Sequence, residues 1–304
     1  MQAIVFEEFG GPEVLRIKEI EEPHAGPGEV RIAVRAIGVN PMDFKVRRGW
    51  FEDFMPTPLP SVPGLEAAGV VDEVGEGVTG IAFGDEVVGW VTGGAYAEHA
   101  LMANVVHKPA EVSWQQAVAL PQAGETADRV LRELDFKKGE TLLLHGAAGA
   151  VGSLAVQLAV ARGGTVIGTA SPANHDYLRG LGAVPVAYGE GLVERVRSVA
   201  PQGVDAVFDA AGFGALPDSI ALRDGTDRIV TIADMGAQQL GVAMSPAPST
   251  TPEEMAAVIS AQLREVADGT LRVRIDEVLP LAEAAKAQQK SEGGHAHGKL
   301  VLVP

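Results

Sequence analysis

The sequence predicts an α/β protein in which a doubly wound parallel sheet is joined to a β-barrel-like domain. Three observations predict it. The chain has 304 residues, beyond the size at which a single core usually stops growing, so two domains are expected. The N-terminal part consists of short runs rich in Val, Ile and Ala, punctuated by Gly and Pro, which is the texture of short antiparallel strands. From about Gln116 the pattern changes to longer helical segments alternating with short β-branched runs, as in βαβ units on a parallel sheet. On this reading residues 1–120, completed by 270–304, form the barrel domain and 121–269 form the parallel-sheet domain.

Val30–Val39 is the clearest early strand, and Gly75-Glu76-Gly77 and Gly93-Gly94 mark turns where positive φ costs little. Later strands are predicted at Thr141–His145, Thr165–Thr169, 204–208 and 229–232. Between the first two, Val151, Leu154, Ala155 and Leu158 recur on one helical face, and Gly163-Gly164 ends that helix. Ser171-Pro172 has the form of an N-cap followed by proline at the first helical position. Thr251 and Glu254 have capping-box spacing at the head of a helix that runs to Gly269. Strand texture returns at 271–275 and at Lys299–Val303, which are assigned to the first domain. There is no internal repeat or low-complexity tract.

With 40 acidic and 24 basic side chains the formal charge is -16, which repels phosphate backbones and anionic lipid, so neither nucleic acid nor a membrane surface is an expected partner. The absence of cysteine removes disulfides, thiolate catalysis and cysteine-containing zinc sites. Met1-Gln2-Ala3 leads into a strand-like run rather than a basic, apolar leader. The uncharged stretch 141–161 is interrupted by His145, a glycine turn and Gln157, which suits a buried strand and helix. A cytoplasmic protein acting on a small molecule is expected.

The strongest chemical signal is the strand run Thr141–His145 entering Gly146-Ala147-Ala148-Gly149-Ala150-Val151-Gly152 and then an apolar helix. Small residues let the backbone approach a pyrophosphate, and free N–H groups at a helix start favour its charge. Ala148, Gly149, Ala150, Val151 and Gly152 are the candidate contacts. The run is not a strict G-x-G-x-x-G, because Ala148 stands where that pattern has glycine, and a tight turn that binds nothing is the competing reading. An NAD site usually places an acid about 20 residues further on. Here Gly168-Thr169-Ala170-Ser171 has none, which favours NADPH. Ser171 is a candidate phosphate donor at a helix mouth, and His175 and Arg179, four apart, share a helical face beside it. Tyr188 follows the next strand segment and can offer a phenol. The alternatives are a capping role for Ser171, a solvated Arg179 and a packing Tyr188.

With these residues in view, the chain resembles the quinone oxidoreductase branch of the zinc-free medium-chain dehydrogenase/reductase superfamily over nearly its whole length. The matching pieces are Gly38-Val39-Asn40-Pro41-Met42-Asp43-Phe44-Lys45, Pro63-Gly64-Leu65-Glu66-Ala67-Ala68-Gly69-Val70-Val71, Gly84-Asp85-Glu86-Val87, the glycine turn, and Gly298-Lys299-Leu300-Val301-Leu302. The resemblance implies a GroES-like substrate domain, a Rossmann domain, NADPH-dependent reduction in the cleft between them, and a homodimer. Zinc-dependent relatives have an early cysteine and Gly-His-Glu where this chain has Gly64-Leu65-Glu66, so catalytic zinc is not expected. His295 and His297, two apart, are read as non-metal residues.

By resemblance Asn40, Asp43 and Lys45 face the nicotinamide: Asn40 donates to substrate oxygen or cofactor, Lys45 donates a hydrogen bond or proton, and Asp43 orients Lys45. The competing reading is an Asp43–Lys45 surface pair with Asn40-Pro41 starting a turn. Thr126 is placed for a nicotinamide contact, although Glu125 and Asp128 stand where the family usually has apolar and aromatic residues. Trp50, Phe51 and Phe54 are read either as an apolar wall for an aromatic substrate or as local packing. Without a metal, alcohol oxidation lacks its usual alkoxide stabiliser, whereas a quinone or α,β-unsaturated carbonyl can be held by ordinary donors. Enoyl-thioester reduction and a non-catalytic NADPH-binding sensor or structural protein stay open as alternatives.

Overall fold

The computed structural model describes residues 1–53, 55–245, 251–294 and 296–304; Phe54 and His295 lie outside them. The chain forms two compact units, Met1–Gln122 with Pro252–Pro304, and Ala123–Thr251.

In chain order the first unit contains β1 (Gln2–Val5), β2 (Arg16–Glu19), β3 (Val30–Val39), α1 (Pro41–Arg47), β4 (Glu66–Val74), β5 (Glu86–Thr92), β6 (His99–His107), α2 (Trp114–Val118) and the start of α3 (Pro121–Glu133). The second contains β7 (Thr141–His145), α4 (Ala150–Ala161), β8 (Thr165–Thr169), α5 (His175–Gly180), β9 (Val184–Val186), α6 (Leu192–Val199), β10 (Ala206–Asp209), α7 (Leu216–Arg223), β11 (Ile229–Thr231) and β12 (Ala243–Met244). The chain then returns to the first unit through α8 (Pro252–Ala267), β13 (Ile275–Pro280), α9 (Ala284–Glu292) and β14 (Lys299–Val303).

In the first unit, β3 pairs with β4 along most of its length, with β6 near its start and with β14 at its end. The β3–β6 pairing closes β3-β4-β5-β6 on itself, which removes exposed edges as in a barrel. Residues at alternating positions on the early part of β3 turn inward, so Val30, Ile32 and Val34 meet Phe6, Val71, Tyr96 and Met102 in one core.

In the second unit the strands are all parallel in the order β12-β11-β10-β7-β8-β9. This is the doubly wound, Rossmann order, and its reversal point lies between β7 and β10, where such sheets bind ligands at the strand ends. Every residue of β7 is buried, as expected for a strand covered on both faces. The described residues contain no helix long and apolar enough to cross a membrane.

Two boundaries differ from the sequence expectation. Residues 252–269, assigned above to the parallel-sheet domain, belong to the first unit, where α8 packs on β6 and Asn104 Nδ2 donates to the Pro252 carbonyl at 3.2 Å. A helix following strands reads as another βαβ crossover, and nothing local in the sequence tells which sheet it covers. The strand expected at 271–275 begins only at Ile275, opposite Lys299, and continues to Pro280.

Candidate active site

The glycine turn caps the buried β7. Gly146 has φ of 72°, a left-handed conformation that glycine adopts without strain. Its carbonyl accepts the Gly149 N–H at 3.0 Å, and Ala147 N–H reaches the Thr169 carbonyl at 3.2 Å, which pins the turn to β8. α4 then starts at Ala150 with no side chain capping it. The first-turn amides of Ala150, Val151 and Gly152 thus form an uncapped helix start, where the backbone dipole favours an anion. A Cβ on Gly152 would overlap the Gly146 carbonyl oxygen and come within 2.8 Å of Ala147 Cα. Close passage of turn and helix therefore requires glycine there, and the residues present fit a dinucleotide pyrophosphate.

Two polar residues behind the turn, His145 and Asp209, were given no site role by the sequence. His145 is buried, with Nε2 2.9 Å from Ser219 Oγ and Nδ1 3.3 Å from Thr169 Oγ1, and burial pushes its pKa down. Asp209, at the end of β10, accepts from the Ala211 and Gly212 amides at 3.0 and 3.1 Å and from Thr231 Oγ1 at 2.8 Å. It thereby holds the loop that flanks Gly146. The available signal was a polar residue closing an apolar strand beside the glycine turn.

Ser171 and Tyr188 leave the sheet from neighbouring strands, since Ala170 N–H bonds the Val186 carbonyl at 3.1 Å. Ser171 Oγ accepts from Asn174 Nδ2 at 3.1 Å, and the tyrosine ring is exposed. Pro172 opens a short 3-10 turn rather than the helix itself, which starts at His175. His175 Nε2 lies 3.3 Å from the Ala170 carbonyl. Arg179 is held by Asp176 at 2.6 Å in an exposed pair one turn away, so the expectation of a common His175–Arg179 anion face is corrected to an inward histidine and an outward ion pair.

In the first unit Asn40 caps α1. Its N–H donates to Asp43 Oδ2 at 2.9 Å, and the Asp43 N–H donates to the Asn40 carbonyl at 3.0 Å. Asp43 Oδ2 also accepts from Tyr96 OH at 2.8 Å, while Oδ1 is buried with no hydrogen-bond partner among the described residues. Burial pushes the Asp43 carboxyl up to about 7, and burial beside Asp43 pushes the Tyr96 phenol well above its usual range. Asp43 does not orient Lys45 and makes no surface pair with it, which corrects both sequence readings: residues two apart on a helix point to different sides. Lys45 is half-buried with no hydrogen-bond or ion-pair partner among the described residues, and burial lowers its pKa.

Asn40 is not a free donor either. Its Nδ2 donates to Glu66 Oε1 at 2.8 Å and its Oδ1 accepts from Lys299 Nζ at 2.6 Å. Glu66 and Lys299 themselves form a fully buried ion pair, and Glu66 Oε2 takes the Gln122 N–H at 2.7 Å. The matched sequence motifs contain both residues, but nothing local indicates that residues 233 positions apart meet. Of the aromatic segment, Trp50 is exposed and edge-on to Phe44 at 5.8 Å, whereas Phe51 is buried. The expectation for Phe54 lies outside the described residues.

On α3, Thr126 Oγ1 accepts from Arg129 at 3.4 Å. Glu125 is buried against Arg129 at 3.0 Å, with burial as the larger influence raising its pKa. Asp128 takes Arg132 at 2.8 Å and Arg162. Both unexpected acids are therefore matched by arginines, and helical i,i+4 spacing supplies one for each.

Comparison with known proteins covers most of the chain. The alcohol dehydrogenase GroES-like domain family matches residues 26–112, and the zinc-binding dehydrogenase family matches 181–302. The Pseudomonas aeruginosa quinone oxidoreductase is 32% identical, covering 99% of this chain and 99% of its own. The chloroplastic NADPH-dependent alkenal/one oxidoreductase of Arabidopsis thaliana is 31% identical, over 100% of this chain and 80% of its own. The crystal structure of Escherichia coli quinone oxidoreductase complexed with NADPH superposes with a TM-score of 0.88 at 30% identity, over 100% of both chains.

Proposed function

The chain belongs to the quinone oxidoreductase branch of the medium-chain dehydrogenase/reductase superfamily, and on that premise we propose that it reduces a quinone or α,β-unsaturated carbonyl with NADPH, by hydride transfer and without zinc. The observation that carries the reading is the uncapped start of α4 at the reversal point of the parallel sheet, with Gly152 in a position that excludes any Cβ. NADPH supplies the hydride when bound.

The amides of Ala148, Gly149, Ala150, Val151 and Gly152 hold the pyrophosphate in this proposal, and Ser171 and Tyr188 offer hydroxyls to the 2′-phosphate. His175 lines that region, Arg179 reaches it only by leaving Asp176, and Thr126 contacts the nicotinamide. The family name that mentions zinc does not fit the donor set: Leu65 has no donor atom, Glu66 is committed to Lys299, Asn40 and Gln122, and the described residues include no group of three or more His, Cys, Asp or Glu suited to a metal. No step is assigned to a metal. The reading includes a homodimer, as the resemblance implies, and a cytoplasmic location, which the cysteine-free sequence fits.

Lys45 is the proton donor in this scheme. As hydride adds to the carbon at the far end of the conjugated system, the carbonyl oxygen gains negative charge, and the Lys45 ammonium stabilises it and transfers a proton to it. Because burial lowers its pKa, the protonated donor is lost as pH rises through a value below 10.5, so the rate declines earlier than an ordinary lysine would allow. Replacing Lys45 by Met is expected to lower kcat/KM about a hundredfold and to remove that alkaline decline, with NADPH binding unchanged. The check is NADPH consumption against a quinone and an enone across pH; a variant with wild-type kcat/KM would take Lys45 out of the mechanism.

A further inference from the structure

Glu66 and Lys299 are among the most deeply buried charged groups in the protein, and the reaction proposed above gives them no direct task. A buried ion pair holds its own energetically only when its remaining donors and acceptors are satisfied, and well-packed apolar residues of similar volume often serve stability as well or better. Stability alone therefore does not account for this pair. Its contacts suggest what does.

Lys299 opens β14, whose pairing of Leu300 with Val39 brings it opposite Asn40. The ammonium donates to Asn40 Oδ1 at 2.6 Å and to Glu66, while Glu66 Oε1 accepts from Asn40 Nδ2 at 2.8 Å. The three side chains thus close a ring in which every bond direction is fixed: Asn40 must present its oxygen to the ammonium and its NH2 to the carboxylate. The backbone is shaped for it, since a Cβ on Gly38 would overlap Glu66 Oε1. The second carboxylate oxygen accepts the Gln122 N–H, in the first turn of α3, at 2.7 Å. Asn40 is the N-cap of α1, which bears Lys45; Gln122 is the second residue of α3, which bears Thr126.

We propose that Glu66 and Lys299 are positioning residues for the reduction: one buried ion pair fixes the N-terminal ends of both helices that carry the groups assigned to substrate and nicotinamide. The assignment of Lys45 and Thr126 rests on the proposed function; the mechanical claim about the two helices does not. A carboxylate at the first turn of α3 also suits the helix dipole, so the anchor acts through charge as well as shape.

The test is Glu66→Gln, which keeps the side chain's shape but must turn an NH2 group toward the Gln122 amide or the Lys299 ammonium. Expected is a fall in kcat of roughly ten- to a hundredfold, with the Kd for NADPH changed by less than about threefold. Amide hydrogen exchange should rise within 40–45 and 121–126 and stay unchanged elsewhere. Glu66→Met combined with Lys299→Met removes the charges while filling the volume; it serves as the test protein if Glu66→Gln does not fold, with the same two readouts expected. A folded variant with wild-type kcat and wild-type exchange overturns the proposal. So does exchange raised along the whole chain with kcat per folded molecule retained, which is the mark of a merely structural role. If the wild-type protein reduces no acceptor, the proposed reaction fails, and the exchange pattern still decides whether the pair anchors both helices.

Discussion

Replacing Gly152 by Ala is expected to raise the Kd for NADPH at least about a hundredfold, as the loss of two charge-assisted backbone hydrogen bonds would do. The added methyl group would overlap the Gly146 carbonyl oxygen and sit 2.8 Å from Ala147 Cα. Both are backbone atoms that no rotamer change can move aside. The turn and the first turn of α4 must separate, and the amides of Ala150, Val151 and Gly152 lose their common aim. Gly180→Ala is the matched control: Gly180 is not among the residues assigned to NADPH, its φ is outside the left-handed region, and its added Cβ would meet nothing within 4 Å. That variant should fold normally and bind NADPH within about tenfold of the wild type. Fluorescence titration with NADPH, alongside thermal melts, separates lost binding from lost folding. Wild-type affinity in Gly152→Ala would remove the turn from the binding site.

Asp43→Asn is expected to change how stability depends on pH. The native carboxyl titrates at about 7 because burial outweighs the hydrogen bonds it accepts, whereas the unfolded chain releases this proton near 3.8. Between these values the native state holds a proton that the unfolded state has lost, so stability from this group is fully present at the acid end and falls as pH rises through about 7. The loss is on the order of 4 kcal/mol across the window. Asparagine keeps an oxygen for the Asn40 N–H and Tyr96 OH and has no charge to bury. The variant should therefore match or trail the wild type at pH 5 and exceed it at pH 8, as measured by chemical denaturation at both values. An unchanged difference at the two pH values would show that Asp43 does not titrate in this range.

These two sites show unequal legibility in the sequence. The glycine turn was readable because its determinants are local: an apolar strand run, small residues and a helix follow one another, and Thr141–His145 and Thr165–Thr169 emerge at the boundaries read from the sequence. The Asn40 segment was readable only as the start of a turn. In the structure that turn is the N-cap of α1, where the Asn40 N–H donates to the Asp43 carboxylate three residues on. Its side-chain chemistry was not readable, because the groups that claim the Asn40 amide come from 26 and 259 residues away. The same limit hid Tyr96 as the partner of Asp43 and let α8 be placed with the wrong sheet. Glu125 and Asp128, which stood out as departures, prove tolerable through arginines at helical spacing, a pairing the sequence contained.

Metal-free hydride transfer from NADPH to a conjugated carbonyl leaves its mark on the product. The most direct test uses NADPH deuterated at its transferable position, with a quinone, an enone and an enoyl thioester in separate reactions containing a strong chelator, followed by mass spectrometry of the enone and thioester products. Expected are NADPH consumption with the quinone, and an enone product carrying one deuterium on the carbon remote from the oxygen, at a rate unaffected by the chelator. No consumption despite tight NADPH binding, turnover confined to the enoyl thioester, or loss of transfer on chelation would contradict that expectation.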